Sequence, residues 1–197
     1  MKKLLCLFLA TVACLSCSAL ENSVYFFNAG AGINFVEIEK VDGIDFAFDP
    51  GLVGTVCIGF HINQWVTAET EFAMRSNRFR KITADGVEFG VEGYLTKATF
   101  MQNFLLNLTQ RRYSPYFGFG VGLKKDSGDV KVVIVSRYSE VYEYKAKIDG
   151  SGTAYQLLGG IDIPMGEVSR LKLEYKFLQS EEDEHNHSII LKAQKSF

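Results

Sequence analysis

Three histidines occur in the 197-residue chain, and His61 alone stands apart from the acidic stretch near the C-terminus. Thr55 and Cys57 precede it in the same segment. A histidine beside a hydroxyl or thiol is the minimum for nucleophilic chemistry, because the imidazole must take the nucleophile's proton. Even offsets along an extended chain put all three side chains on one face. No Gly-x-Ser-x-Gly elbow or comparable nucleophile setting accompanies them. A hydrogen-bonded polar residue is therefore the favoured reading of His61.

The second candidate is "SEEDEHNH" (180–187), where Glu181, Glu182, Asp183, Glu184, His185 and His187 offer ligands to a cation. Hard cations require several oxygens, but the run lacks the glycine-punctuated spacing of a calcium loop. It reads as a solvated acidic loop tip. Cys57 is the third candidate. Cys6, Cys14 and Cys17 all fall in the N-terminal segment, so the remainder holds a single thiol and no internal disulfide. An inward Cys57 reads as a small, inert core residue. No catalytic, cofactor-binding or metal-binding residue is assigned, no cofactor is expected, and the chain reads as a non-enzyme.

Glu69, Glu71, Lys172, Glu174 and Lys176 are spaced by two within their segments. On strands, that parity gathers them on one face. Charges taken out of water must be paired, which predicts an ion-pair network among these five.

The elements that carry these residues follow from hydropathy. The opening "MKKLLCLFLATVACLSCSA" has a basic n-region, an apolar stretch too short to span a bilayer well, and a small-residue cleavage site. It reads as a signal peptide over 1–19, with one domain over 20–197. The match of Cys14 or Cys17 to a lipidation box is poor. The formal net charge of −2 gives no reason to expect nucleic acid as a partner.

Beyond residue 19 the recurring signal is alternation. It runs through 23–35, 52–62, 65–74, 96–108, 115–123, 154–163, 170–177 and 188–197. Stretches of this length suit tilted strands that cross a bilayer. One face carries large apolar residues, and the other carries Gly, Asn, Gln and charges. In "PYFGFGVGL" (115–123), Phe117, Phe119, Val121 and Leu123 oppose Gly118, Gly120 and Gly122. Bulk on one face and almost nothing on the other fits lipid outside and a crowded lumen inside. The fold class expected is all-β: a closed antiparallel up-and-down transmembrane β-barrel of about eight strands. Short connections at 61–65, 109–115 and 165–169 alternate with long polar ones at 36–50, 76–92, 124–152 and 179–187. Within the third long connection, 129–145 has high strand propensity and reads as a raised hairpin. Val132, Ile134, Tyr138, Val141, Tyr142 and Tyr144 would give it an apolar edge.

The segments "YFFNAGAGINF" (25–35), "SPYFGFGVGL" (114–123), "AYQLLGGIDIPM" (154–165) and "LKLEYKF" (171–177), with the terminal Phe197, resemble the small outer-membrane β-barrel family of OmpA/OmpX-like barrels and opacity-type surface antigens. The resemblance implies a cell outer membrane location, with membrane lipid and lipopolysaccharide as surroundings. It also implies recognition of Phe197 by the barrel-assembly machinery, although Lys195 departs from the apolar residue usual there. The function expected is structural, surface-antigen or adhesin-like, through extracellular loops and an extracellular ligand at 129–145. The alternatives are a narrow porin-like channel and a lipid-modifying outer-membrane enzyme.

Overall fold

The computed structural model describes residues 25–38, 44–84, 87–109, 113–135, 141–166, 168–180 and 184–197. The signal peptide expected over 1–19 lies outside these residues. The strands are β1 (Tyr25–Ile38), β2 (Ile44–Phe48), β3 (Gly51–His61), β4 (Val66–Ala84), β5 (Val87–Asn107), β6 (Ser114–Val135), β7 (Val141–Pro164), β8 (Ser169–Ser180) and β9 (Glu184–Ser196). Eight of them pair in an antiparallel ring, β1-β3-β4-β5-β6-β7-β8-β9, which the β9–β1 pairing closes. β2 is the ninth and lies outside the ring, paired with the far end of β4. The expected barrel is thus present: each strand of the ring has a hydrogen-bonded neighbour on both sides.

Alternation dictates the two faces. Phe117, Phe119 and Leu123 are exposed on the outer wall, whereas Gly118 and Gly120 are buried inside. The glycines are needed because the strands curve tightly. A Cβ on Gly122 would run into the Phe100 carbonyl and come within 2.8 Å of Met101 Cα. Gln102 and Thr70 interrupt the apolar face where they stand in register, and Thr70 on β4 donates a hydrogen bond to Gln102 Oε1 at 2.8 Å. That cross-strand partner makes the amide tolerable beside lipid.

The short turns gather at one end. There Asn63 Oδ1 accepts from the backbone N–H groups of Trp65 and Val66, both at 2.8 Å, and fixes the β3–β4 turn. Phe197 N–H donates to Tyr25 C=O at 2.9 Å at this same end, joining the two chain ends across the seam.

At the other end the long connections are not loops. β4, β5, β6 and β7 run 19, 21, 22 and 24 residues, far past the apolar belt. Stretches 76–92 and 124–152 are largely strand, and 44–48 within 36–50 is β2. The reason lies inside the sheet. Phe79, Val91, Leu95 and Val130 form a buried apolar cluster, with Phe46, Phe48, Ile82 and Ile148 packed on it. Burial of this cluster gives the extramembrane strands their own core. Register shifts at Ala47/Phe48 and between Arg78 and Lys81 bend the sheet there. Gly93 has φ of 149°, a conformation that side-chain-bearing residues rarely adopt, where β5 passes β6.

Candidate functional site

The lumen is where the polar parity of eight strands converges, and it is filled in layers. In the central layer Glu71 on β4 meets Lys176 on β8 in a fully buried ion pair. Lys192 on β9 reaches the same carboxylate at 3.0 Å and Glu174 Oε1 at 2.7 Å. Lys176 also lies 3.3 Å from Glu174. Glu69 accepts from Asn103 Nδ2 at 3.1 Å and Asn28 Nδ2 at 3.4 Å, and stands 3.8 Å from Lys192. Tyr116 donates its hydroxyl to Glu174 at 2.8 Å. Three carboxylates and two ammonium groups thus offset one another's desolvation through shared partners.

Four of the five charges expected in this network join it. Lys172 does not. It pairs in register with Lys192, so two ammonium stems stand side by side and like charge turns them apart. Its Nζ instead sits 5.1 Å from the Phe26 ring centroid and 5.3 Å from that of Tyr116. Lys192 takes its place. Lys192 was not among the five expected charges, although alternation along β9 turns it inward too.

Cys57 is inward and buried as expected. Its Sγ lies 3.3 Å from Glu71 Oε2 and 3.7 Å from Lys192 Nζ. Cys57, Glu69 and Glu71 bring ligand atoms within 4.8 Å of one another. The Lys176 and Lys192 ammonium groups already supply positive charge at that point, so the cluster is an ion-paired core.

The lumen also holds a small apolar cluster of Met101, Ala154 and Leu178 and a second ionic group. There Lys97 pairs with Glu184 and, at 3.2 Å, with Asp126. Lys124 pairs with Asp126 at 2.7 Å. Beside them Asn34 Nδ2 donates to Asn77 at 2.7 Å and to Asn186 at 3.1 Å. Glu184 and Asn186 therefore correct the reading of 180–187 as a solvated loop tip. β9 begins at Glu184, and alternation sends Glu184 and Asn186 inward and His185 and His187 outward. Glu184 and the two histidines thus lie on opposite faces of β9, and 181–183 lie outside the described residues.

At the short-turn end His61 Nδ1 is 2.8 Å from Thr67 Oγ1, and its ring packs on Phe26. Cys57 bonds to Glu71 instead and Thr55 Oγ1 has no hydrogen-bond partner, so the histidine is coupled to neither, and the hydroxyl it meets is that of Thr67. Arg170 is partly exposed and donates to Asp162 at 2.6 Å.

Outside the barrel, β6 and β7 stay paired as far as Val135↔Val141, so the raised hairpin is present. Its expected apolar edge (Val132, Ile134, Tyr138, Val141, Tyr142, Tyr144) rests on side chains outside the described residues. Below it, Glu92, Tyr94, Asp129, Lys131, Lys145 and Lys147 line a concavity of about 540 Å³. β7 has its last partner on β8 at Ala154↔Ser180, so among the described residues its stretch 141–153 pairs on one side only.

A sequence-family model described as an outer membrane protein beta-barrel domain matches residues 7–197. A search of curated protein sequences returns no significant match. Among solved structures, the chain is similar to Ail, the attachment invasion locus protein of Yersinia pestis, solved with the heparin analogue sucrose octasulfate. The TM-score is 0.54 at 13% identity, over 89% of this chain and 99% of that one. Neisserial surface protein A matches with a TM-score of 0.52 at 12% identity, over 90% and 100%. OprG, an outer membrane protein of Pseudomonas aeruginosa, matches with a TM-score of 0.54 at 10% identity, over 87% and 95%. At such identities the likeness is one of fold.

Proposed function

The chain belongs to the outer membrane β-barrel family, and from that premise we propose that it is a surface-attachment protein whose barrel serves as the anchor for a raised binding sheet. The outer wall contacts membrane lipid, and the short turns face the periplasm. The observation that carries the reading is the β6–β7 ribbon. Among the β6 residues whose side chains are described, outward apolar positions end at Leu123, yet pairing continues for twelve further positions to Val135. A sheet built so far beyond the bilayer, with its own apolar cluster, serves contact rather than insertion.

Lysines on this sheet suggest the ligand's chemistry. Lys131, Lys145 and Lys147 border the concavity, outnumbering Glu92 and Asp129, and Tyr94 lines it beside them. A sulfated or phosphorylated saccharide offers the matching charge, and the Ail complex with sucrose octasulfate supports that class. A narrow channel and a lipid-modifying enzyme are the alternative readings. Buried ion pairs that cross the lumen stand against a wide channel, and His61 bonds to Thr67 Oγ1 rather than to Thr55 or Cys57, so neither gains support.

Phe197 is proposed as the mark read by the assembly machinery, since its exposed ring stands at the seam beside Tyr25. The test of function is deletion of 131–144, which keeps Val130 and Ile148 of the outer cluster. The shortened barrel is expected to retain heat-modifiable migration on gels and to lose binding to immobilised heparin. Collapse of the barrel, or unchanged binding, would overturn the reading.

A further inference from the structure

Two histidines leave the acidic run and stand on the outer wall. On β9, Glu184 and Asn186 are buried in the lumen, and His185 and His187 are only partly buried on the opposite face. Residues two apart on one strand face are separated by about 6.7 Å, within reach of two imidazoles turning onto one ion. β1 supplies a third group. Glu37 is in register with His185, and its Oε2 lies 3.9 Å from His187 Nε2. β8 supplies a fourth, the Tyr175 hydroxyl, 2.6 Å from His187 Nδ1.

The geometry around His187 is specific. With Nδ1 engaged by the Tyr175 hydroxyl, the ring presents Nε2 to Glu37. The 3.9 Å gap is too long for a hydrogen bond. Two ligand atoms bound at about 2.0–2.2 Å in a tetrahedral shell stand about 3.4 Å apart. The gap therefore needs to close by only about half an ångström to share an ion. A second-nitrogen partner that holds the ring is what metal-binding histidines use. His185 stacks on Phe177 with ring centroids 5.5 Å apart, and its Nδ1 is buried without a partner. Swinging that ring off Phe177 exposes the nitrogen and brings the second imidazole toward the first. In sequence, Glu181, Glu182 and Asp183 add negative charge immediately upstream, and no lysine or arginine occurs between 181 and 191.

We propose that His185, His187 and Glu37 form a surface site for one borderline divalent transition-metal ion of the zinc, copper or nickel class, at the outer rim of the apolar belt. Two imidazoles and one carboxylate suit these ions, whereas magnesium and calcium require mostly oxygen. Tyr175 is the positioning residue.

The test uses the full chain in detergent micelles, freed of metal with a chelator and titrated with zinc chloride at neutral pH. One zinc per chain is expected. His185→Asn and His187→Asn should each weaken binding at least tenfold, and Tyr175→Phe about tenfold, as loss of an outer partner does. Copper(II) in place of zinc should show two coupled nitrogens by electron paramagnetic resonance and one in either histidine variant. His61, the remaining histidine, lies in the lumen and serves as the internal control. Heat-modifiable migration checks that each variant is folded. Absence of saturable zinc binding, or binding unchanged in the double histidine variant, would overturn the site. Binding that depends on Glu181, Glu182 and Asp183, tested as their amides, and not on the histidines would assign the ion to the acidic run and overturn it equally.

Discussion

Glu71 and Lys176 stand on β4 and β8, opposite members of the eight-strand ring, and their side chains meet in the lumen. Hydrogen bonds of the wall join neighbouring strands only. This pair joins strands four places apart and thereby ties the two halves of the barrel through its interior. Lys192, at 3.0 Å from the same carboxylate, brings in the seam strand β9.

Removing Glu71 should be severe. Glu71→Leu leaves Lys176 and Lys192 to share Glu174, with Glu69 at longer range. Breaking one side of a buried pair costs about 3–5 kcal/mol. The urea midpoint of the barrel in detergent should fall accordingly. Adding Lys176→Met should restore a large part of the loss, since replacing both partners by apolar groups is far milder than orphaning one. A double variant as unstable as the single one would show that the carboxylate, not the pair, is what matters.

Glycine substitutions should divide by face. Gly122→Ala drives a methyl into the Phe100 carbonyl and Met101, and overpacking of this kind costs about 1–3 kcal/mol. Gly54→Ala adds a methyl with nothing within 4 Å, and should leave stability unchanged or raise it by about 0.4–1 kcal/mol. Unfolding midpoints of the two variants measure the contrast. Equal effects would mean that curvature does not limit the lumen face.

Phe79→Ala should loosen the raised sheet and spare the barrel. Phe79 is buried in the outer cluster and its ring centroid lies 4.6 Å from that of Phe48. Its loss removes about 3–5 kcal/mol of local packing, against strands that lack a membrane to hold them. Limited proteolysis should then cut β4, β5 or β6 beyond the belt, leaving a heat-modifiable core. Resistance equal to the wild type would show that the cluster does not hold the sheet together.

Phe197→Ala should lower the amount of folded barrel recovered in outer membranes without lowering the urea midpoint of what is recovered. The ring is exposed, so it contributes little packing, and the backbone N–H bond to Tyr25 survives the change. Normal yield would remove Phe197 from the assembly signal.

The wall was legible in the sequence because lipid outside and a narrow lumen inside impose opposite chemistry on successive residues. "PYFGFGVGL" states both demands in nine positions. Parity also placed Glu69, Glu71, Glu174 and Lys176 correctly. The raised sheet was not read beyond the 129–145 hairpin, because water replaces lipid above the belt and the outward positions turn polar, as with Lys125, Ser127 and Asp129. The inward series Leu95, Val91 on β5 and Val130 on β6 kept period two and was the available signal. Glu184 was missed for a different reason. It closes an acidic run, and composition alone says nothing about which member enters a strand and turns inward.

The seam between β1 and β9 joins the ends of the chain. Asn34 is bonded to Ser188 and Asn186, partners 154 and 152 residues away. Neither these contacts nor the meeting of Glu71 with Lys176 exists in an open sheet, where the same face would offer bare charges to the membrane interior. The order of events in assembly is thereby constrained. The lumen face must stay wet until the last seam shuts, and the interior network forms in one step with it. Contacts of such long sequence separation make that step slow. Its reversal must break seam and network together, so a barrel once closed is expected to persist by the height of its barrier as much as by the depth of its free-energy well.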